Sequence, residues 1–201
     1  YALEGGVFSA GSTVQWLRDE IGMIQQSAEI EELAQSVPDN GGVYLVPAFN
    51  GLGTPYWDPQ ARGSIHGLTK GSNRGHLARA ALESIAYQCD DVLRLMSTES
   101  GKQITSIRSD GGASGNDMLM QFQADISEVL IERSLSHETT SLGAGYLAGL
   151  GIGFWHSRNE IERLWESGGF FSPYMSPSRR DLLRHYWSKA VERSLGWAAR
   201  N

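Results

Sequence analysis

The sequence predicts an α/β layer fold, a mixed sheet covered by helices, on three observations. Short apolar, β-branched runs alternate along the chain with longer stretches of helical periodicity. Glycines, 24 in all, stand at the joints between them. Apolar residues make up 40% of the 201, and six Trp, seven Tyr and six Phe give bulk enough for a core.

The elements follow in order. Ala2–Phe8 reads as an opening strand entering a glycine turn. Ser12–Ile21 is predicted helical, with Val14, Leu17 and Ile21 on one face and Gly22 as its stop. A glutamate-rich helix is expected over Ala28–Gln35, then a turn at Pro38-Asp39-Asn40-Gly41. Gly42–Pro47 reads as a buried strand and Ser64–Leu68 as another, with a Gly- and Pro-punctuated loop from Phe49 to Arg62 between them. The longest helix is expected from Gly75 to Met96, with Leu77, Ala81, Ile85, Cys89 and Val92 on one apolar face. Ile104–Ser109 is a strand, Asp117–Ile126 a helix, Val129–Glu132 a strand and Thr140–Gly151 a helix of small residues. Helices near Asn159–Trp165 and over Ser178–Trp197 complete the pattern, with Gly168–Ser178 read as a packed loop.

Composition narrows the function. A net charge of −6 argues against nucleic acid as a partner, because phosphate neutralisation needs clustered Lys and Arg. No apolar run reaches the roughly 18–20 residues of a membrane span. One cysteine, Cys89, excludes an intrachain disulfide and fits a reducing, cytoplasmic setting. The chain opens without Met, in the middle of an expected strand, so it reads as a piece of a longer protein.

Two glycine turns stand between a strand and a helix. Asp110-Gly111-Gly112-Ala113-Ser114-Gly115-Asn116 offers backbone N–H groups to an anion at a helix start, with Asn116 as an added amide or merely a cap. Phe8-Ser9-Ala10-Gly11-Ser12-Thr13 repeats the arrangement, with Gln15 one helical turn beyond Gly11. Alone it reads as a cap by Ser9 or Ser12. Two such turns on one crevice would make a nucleotide site. Neither closes with Lys-Ser or Lys-Thr, so neither is a phosphate loop of that kind.

The other candidates favour structure over chemistry. In Gly51–Pro59 the aromatics and Asp58 anchor a long loop more readily than they touch a ligand. His66, His76, His137, His156 and His185 lack metal-ligand spacing. Cys89 reads as core. Glu83 lies among apolar positions, facing either solvent or donors at a neighbouring turn.

Several stretches together resemble the FGGY carbohydrate kinases. Gly63-Ser64-Ile65-His66-Gly67-Leu68, His76-Leu77 and Ala80-Ala81-Leu82-Glu83 are similar to the family's C-terminal signature. Leu45–Pro59, Ser109–Gly112, Leu119–Ile126, Leu142–Gly151 and the opening Tyr1–Gly5 resemble members that phosphorylate glycerol. The likeness runs to about Trp155 and weakens after Ser157, apart from the terminal helix with Tyr186, Trp187, Ala190 and Val191. Thr54 stands where many such members have Ala.

The resemblance implies a ribonuclease H-like domain of the actin–hexokinase–heat-shock chaperone superfamily, spanning residues 1–201 as the C-terminal, nucleotide-side domain. Its core would be about 1–155 and its helical extension about 156–201. It implies ATP contacts at Gly11, Gln15, Gly112 and Asn116, the residues of the two turns. The catalytic base, the glycerol contacts and the carboxylates for Mg2+ would lie in an N-terminal domain outside this chain. The partners implied are ATP and ADP, glycerol through that domain, and a second copy in a homo-oligomer. Two alternatives accompany it: another polyol or pentose kinase such as a xylulose kinase, or a non-catalytic actin-like nucleotide module. A blander third is a scaffold that self-associates through an apolar face.

Overall fold

The computed structural model describes residues 2–136 and 138–198; Tyr1 and His137 lie outside them. In chain order the elements are α1 (Gly11–Asp19), α2 (Glu29–Gln35), β1 (Tyr44–Val46), β2 (Ser64–His66), α3 (Arg74–Ser100) and β3 (Ser106–Ser109). A 3-10 turn (Gly112–Gly115), α4 (Asp117–Ser127), β4 (Leu130–Ser134), α5 (Thr139–Gly151), α6 (Arg158–Glu162), β5 (Ser167–Phe171) and α7 (Pro177–Glu192) follow.

Helix α3 is the axis. Asn73 caps it by accepting from the N–H groups of Gly75 and His76, and the His76 ring accepts from the Asn73 N–H in return. Gly101 ends it at φ 64. Between them α1, α2, α4 and β1 pack against it. The single apolar face expected from the sequence is exceeded: every residue from Ala80 to Gln88 is buried. Alanines at 78, 80, 81 and 86 let the neighbours approach on several sides at once, which a one-face pattern does not convey.

The strands form two sheets. β1 and β2 pair antiparallel, with Leu45 opposite Ile65. β3 and β4 pair parallel, and β5 joins β4 antiparallel, which makes a mixed three-stranded sheet. Parallel pairing of β3 and β4 needs a crossover, supplied by the 3-10 turn and α4. β1, α3, α4 and α7 share one core, centred on Tyr87, which stacks on Trp187 at 5.1 Å and meets Phe122 edge-on at 5.4 Å.

Two expectations are corrected. Gly168–Ser178 is not all loop, because Ser167–Phe171 is strand β5. Its glycines suggest a turn, yet a Cβ on Gly168 would lie 2.9 Å from the Ser134 carbonyl oxygen, so glycine here permits close strand pairing. Residues 2–8 form no strand. They run beside the 51–59 loop instead: Thr54 N–H donates to Gly6 O at 3.0 Å, and the Thr54 hydroxyl accepts from Gly6 N–H at 3.1 Å. Helix ends also shift. α1 stops at Asp19, leaving Ile21 exposed, and α7 stops at Glu192.

Buried charge on α3 ties the layers together. Asn40, in the turn before β1, donates its side-chain amide to Glu83 at 2.8 Å, and Arg79 bonds the same carboxylate at 2.9 Å. Asp90 holds Arg184 of α7 through two bonds of 2.7 and 2.8 Å. Asp91 accepts from Tyr56 Oη and Trp187 Nε1, each at 2.7 Å. Cys89, expected in the core, is half-buried on α3, and burial of its thiol pushes it up to about 11.

Asp91→Ala leaves two donors without their acceptor and should cost about 3 kcal/mol in a urea unfolding titration. Burial raises the carboxyl groups of Glu83, Asp90 and Asp91 above their ordinary range, against the opposing pull of their partners. Such protons are held more tightly folded than unfolded. Their stabilisation is therefore complete below the unfolded value of about 4 and is lost as pH rises through the folded values. Unfolding measured across that window should show a shallower loss in Asp91→Asn than in the wild type; equal slopes would contradict the burial of that charge.

Candidate nucleotide site

Helix α1 starts at Gly11 with no side-chain cap, since its N-cap is Ala10. The expected caps are absent for a clear reason. With the helix starting at Gly11, Ser9 precedes the cap position and Ser12 lies inside the first turn, so neither hydroxyl stands at the cap. Ser9 is buried, and its carbonyl accepts from Gln88 Nε2 of α3 at 3.0 Å, which holds the turn to the core. The first turn of α1 therefore meets its surroundings through backbone N–H groups rather than a serine hydroxyl.

The second turn differs in one important respect from the sequence reading. The start of α4 is already satisfied: Asn116 Oδ1 accepts from Leu119 N–H at 2.7 Å, and Glu31 of α2 accepts from Met118 N–H at 2.9 Å. Asn116 is thus a true cap. The glycine segment before it is the open part. Gly111 takes φ 84, a value glycine tolerates, and starts the 3-10 turn without a side-chain cap.

The two turns, 100 residues apart in sequence, face one cleft of about 550 Å3. Gly11, Gln15, Gly112 and Asn116, the four residues singled out from the sequence, all line it. Ile30, Leu82, Ile85 and Leu119 give it apolar walls from α2, α3 and α4. Gln15 is exposed along it. A Cβ built on Gly11 or on Gly112 meets nothing within 4 Å, so space at both turns stays open where a side chain would otherwise project. The size and the mix of apolar wall with a few polar groups suit a small organic ligand. The open glycines and uncapped helix starts suit its anionic part.

Sequence reasoning missed two residues that build this site. Glu31 reaches from α2 to α4 and so closes one wall. Arg133 of β4 reaches the carbonyl of Ser114 in the 3-10 turn. Both act across more than ten residues of sequence, and neither belongs to a local motif. The other candidates resolve structurally. Asp58 accepts from the N–H groups of Gly196 and Gln60, each at 2.7 Å, and these bonds, Gly196's first, hold its carboxyl below the usual range. Glu83 is buried on Asn40 and Arg79. His66 sits beside Ser64 at 3.0 Å, and burial lowers its pKa. Among the described residues no group of three or more His, Cys, Asp or Glu side chains could hold a metal ion. No helix among them is long and apolar enough to cross a membrane.

Residues 1–152 match the FGGY family of carbohydrate kinases, C-terminal domain. The chain is 57% identical over 198 residues to a glycerol kinase of Trichlorobacter lovleyi and 56% identical over 198 residues to one of Dechloromonas aromatica. Each alignment covers 98% of this chain and 39–40% of the relative, so the chain spans about 40% of the length of the curated relatives it matches. Among solved structures, a Plasmodium falciparum glycerol kinase with ADP superposes with a TM-score of 0.84 at 37% identity, over 94% of this chain and 38% of that one. A xylulose kinase from Lactobacillus acidophilus shares the fold, with a TM-score of 0.76 at 24% identity over 94% of this chain and 38% of that one. The chain belongs to the FGGY family of carbohydrate kinases, whose C-terminal domain it carries, with the ribonuclease H-like fold of that family.

Gly112→Ala places its methyl in open space and should leave the unfolding free energy from a urea titration within about 0.5 kcal/mol of wild type. Gly67→Ala is the contrast. Gly67 has φ 79, and its Cβ would run into the Gly42 carbonyl oxygen, so that variant should lose more than about 2 kcal/mol by the same measurement.

Proposed function

We propose that residues 1–201 form the nucleotide-side domain of a glycerol kinase, with a core of about 1–155 and a helical extension of about 156–201. The parent enzyme, cytoplasmic and homo-oligomeric on this reading, transfers the γ-phosphoryl group of ATP to glycerol and gives glycerol 3-phosphate. The observation that carries the reading is the meeting of two distant glycine turns on one cleft. Identity of 55–57% to glycerol kinases, against 24% to a xylulose kinase, favours glycerol as the acceptor.

In this reading the apolar walls from Ile30, Leu82, Ile85 and Leu119 receive the adenine ring. Gln15 and the free amide edge of Asn116 hydrogen-bond the nucleoside. The backbone at Gly11 and Gly112 approaches the phosphates, where any side chain would intrude. Phosphoryl transfer of this kind depends on positioning and on electrostatic stabilisation of the moving group. This chain fixes the donor. The base that takes the glycerol proton belongs to the part of the parent outside this chain. Mg2+ would neutralise phosphate charge when bound, with its carboxylates supplied by the part of the parent outside this chain. Leu147, Ile152 and Phe154, exposed at 72%, 84% and 68%, offer an apolar face for the remaining domain.

A calorimetric titration with ADP and with a non-hydrolysable ATP analogue tests the site. Saturable binding is expected for the wild-type chain and its loss in Gly112→Val, with folding retained in both. Binding that survives in Gly112→Val would remove the second turn from the site. In a coupled assay of ADP release this chain alone should show no glycerol-dependent turnover; turnover would contradict the assignment of the base to another domain.

A further inference from the structure

We propose that Arg133 is a positioning residue of the nucleotide site, holding the 3-10 turn of Gly112–Gly115 in its binding geometry from behind; this rests on the nucleotide reading above. The turn has little to hold itself. Three of the five residues from Gly111 to Gly115 are glycine, which costs more conformational entropy to fix than any other residue. Its internal bonds are few: Ser114 N–H and Ser114 Oγ donate to Gly111 O at 3.1 and 2.7 Å, and Asn116 N–H donates to Ala113 O at 3.2 Å. Support has to come from outside the turn.

Arg133 supplies it from the sheet. One terminal nitrogen, Nη1, donates to Ser114 O at 3.3 Å and to Asp117 Oδ1 at 2.6 Å. The other, Nη2, donates to Gly168 O of β5 at 3.1 Å. The guanidinium lies 5.3 Å from the centre of the Phe171 ring. One side chain thus joins the turn, the first residue of α4 and the edge strand. The register of β4 against β5 shifts between Arg133 and Ser134, an irregularity of the kind that re-aims a side chain out of the regular ladder. The guanidinium also neutralises Asp117, whose side chain is otherwise 67% exposed beside the turn. Without Arg133 the turn loses its outer tether, and an unpaired carboxylate stands next to the phosphate-binding backbone.

Geometry and charge separate in a set of variants. In the full-length parent, Arg133→Gln should raise the ADP dissociation constant and the KM for ATP about tenfold, with the KM for glycerol unchanged. Arg133→Lys should recover only part, because an ammonium cannot bridge two carbonyls and a carboxylate in one plane. Arg133→Gln with Asp117→Asn should bind ADP better than Arg133→Gln alone, by removal of the unmasked charge. Hydrogen exchange without ligand should quicken at the Ser114 and Asn116 amides in Arg133→Gln, while α3 stays protected. A lower Tm in Arg133→Gln with ADP affinity and exchange at the turn unchanged would overturn the proposal. A wild-type parent that fails to bind ADP would instead overturn the nucleotide reading, and the exchange result would still decide whether Arg133 orders the turn.

Discussion

Everything in this chain is hung on a helix that carries acidic side chains through its own core. From Ala80 to Gln88 α3 has no solvent face, and Glu83, Asp90 and Asp91 lie buried or half-buried along it. A buried carboxylate without partners costs several kcal/mol. Here each accepts at least two hydrogen bonds, and each is bonded by at least one residue from outside α3. Asn40 comes from the turn before β1, Arg184 and Trp187 from α7, and Tyr56 from the loop before β2. The hydrogen bonds that make these buried carboxyl groups tolerable are therefore the bonds that fix where the layers sit.

The cleft inherits its shape from that arrangement. Gln88 of α3 holds Ser9, which sets where α1 begins, while Leu82 and Ile85 of the same helix form part of the wall. Across the cleft, α4 is held to α2 by Glu31 and to the sheet by Arg133. The helix starts differ in consequence. The start of α4 is capped by Asn116 and Glu31, whereas α1 and the 3-10 turn begin without side-chain caps. The site thus combines a rigid frame with backbone left open at two places, which suits a ligand that is apolar at one end and anionic at the other.

Much of this was legible because it is local. The alternation of β-branched runs and helical stretches marks β1 to β4 and all seven helices, and the glycines at 11 and 112 identify both turns. The signature around Gly63–Glu83 points to the family, which the match over residues 1–152 establishes. What escaped is non-local. The aromatics of Gly168–Ser178 signal a packed segment, but nothing local to it signals strand β5, which exists only through its pairing with β4. Residues 2–8 looked like a strand because their composition suits one, but their hydrogen bonds go to Thr54. Ser9 has the chemistry of a cap, but the helix starts two residues on and Ala10 takes the cap position, while Gln88, 79 residues away, holds the Ser9 carbonyl. Glu31 and Arg133 carry no local signature, since charged residues on an exposed-looking helix and a strand read as surface.

The most direct test of a shared nucleotide site is an amide chemical-shift map of the 15N-labelled chain titrated with ADP. Shifts are expected together, with one saturation curve, at Gly11 and Gln15 of the first turn and at Gly112 and Asn116 of the second. Shifts confined to one turn, or saturating at different concentrations in the two, would contradict a single site built from both.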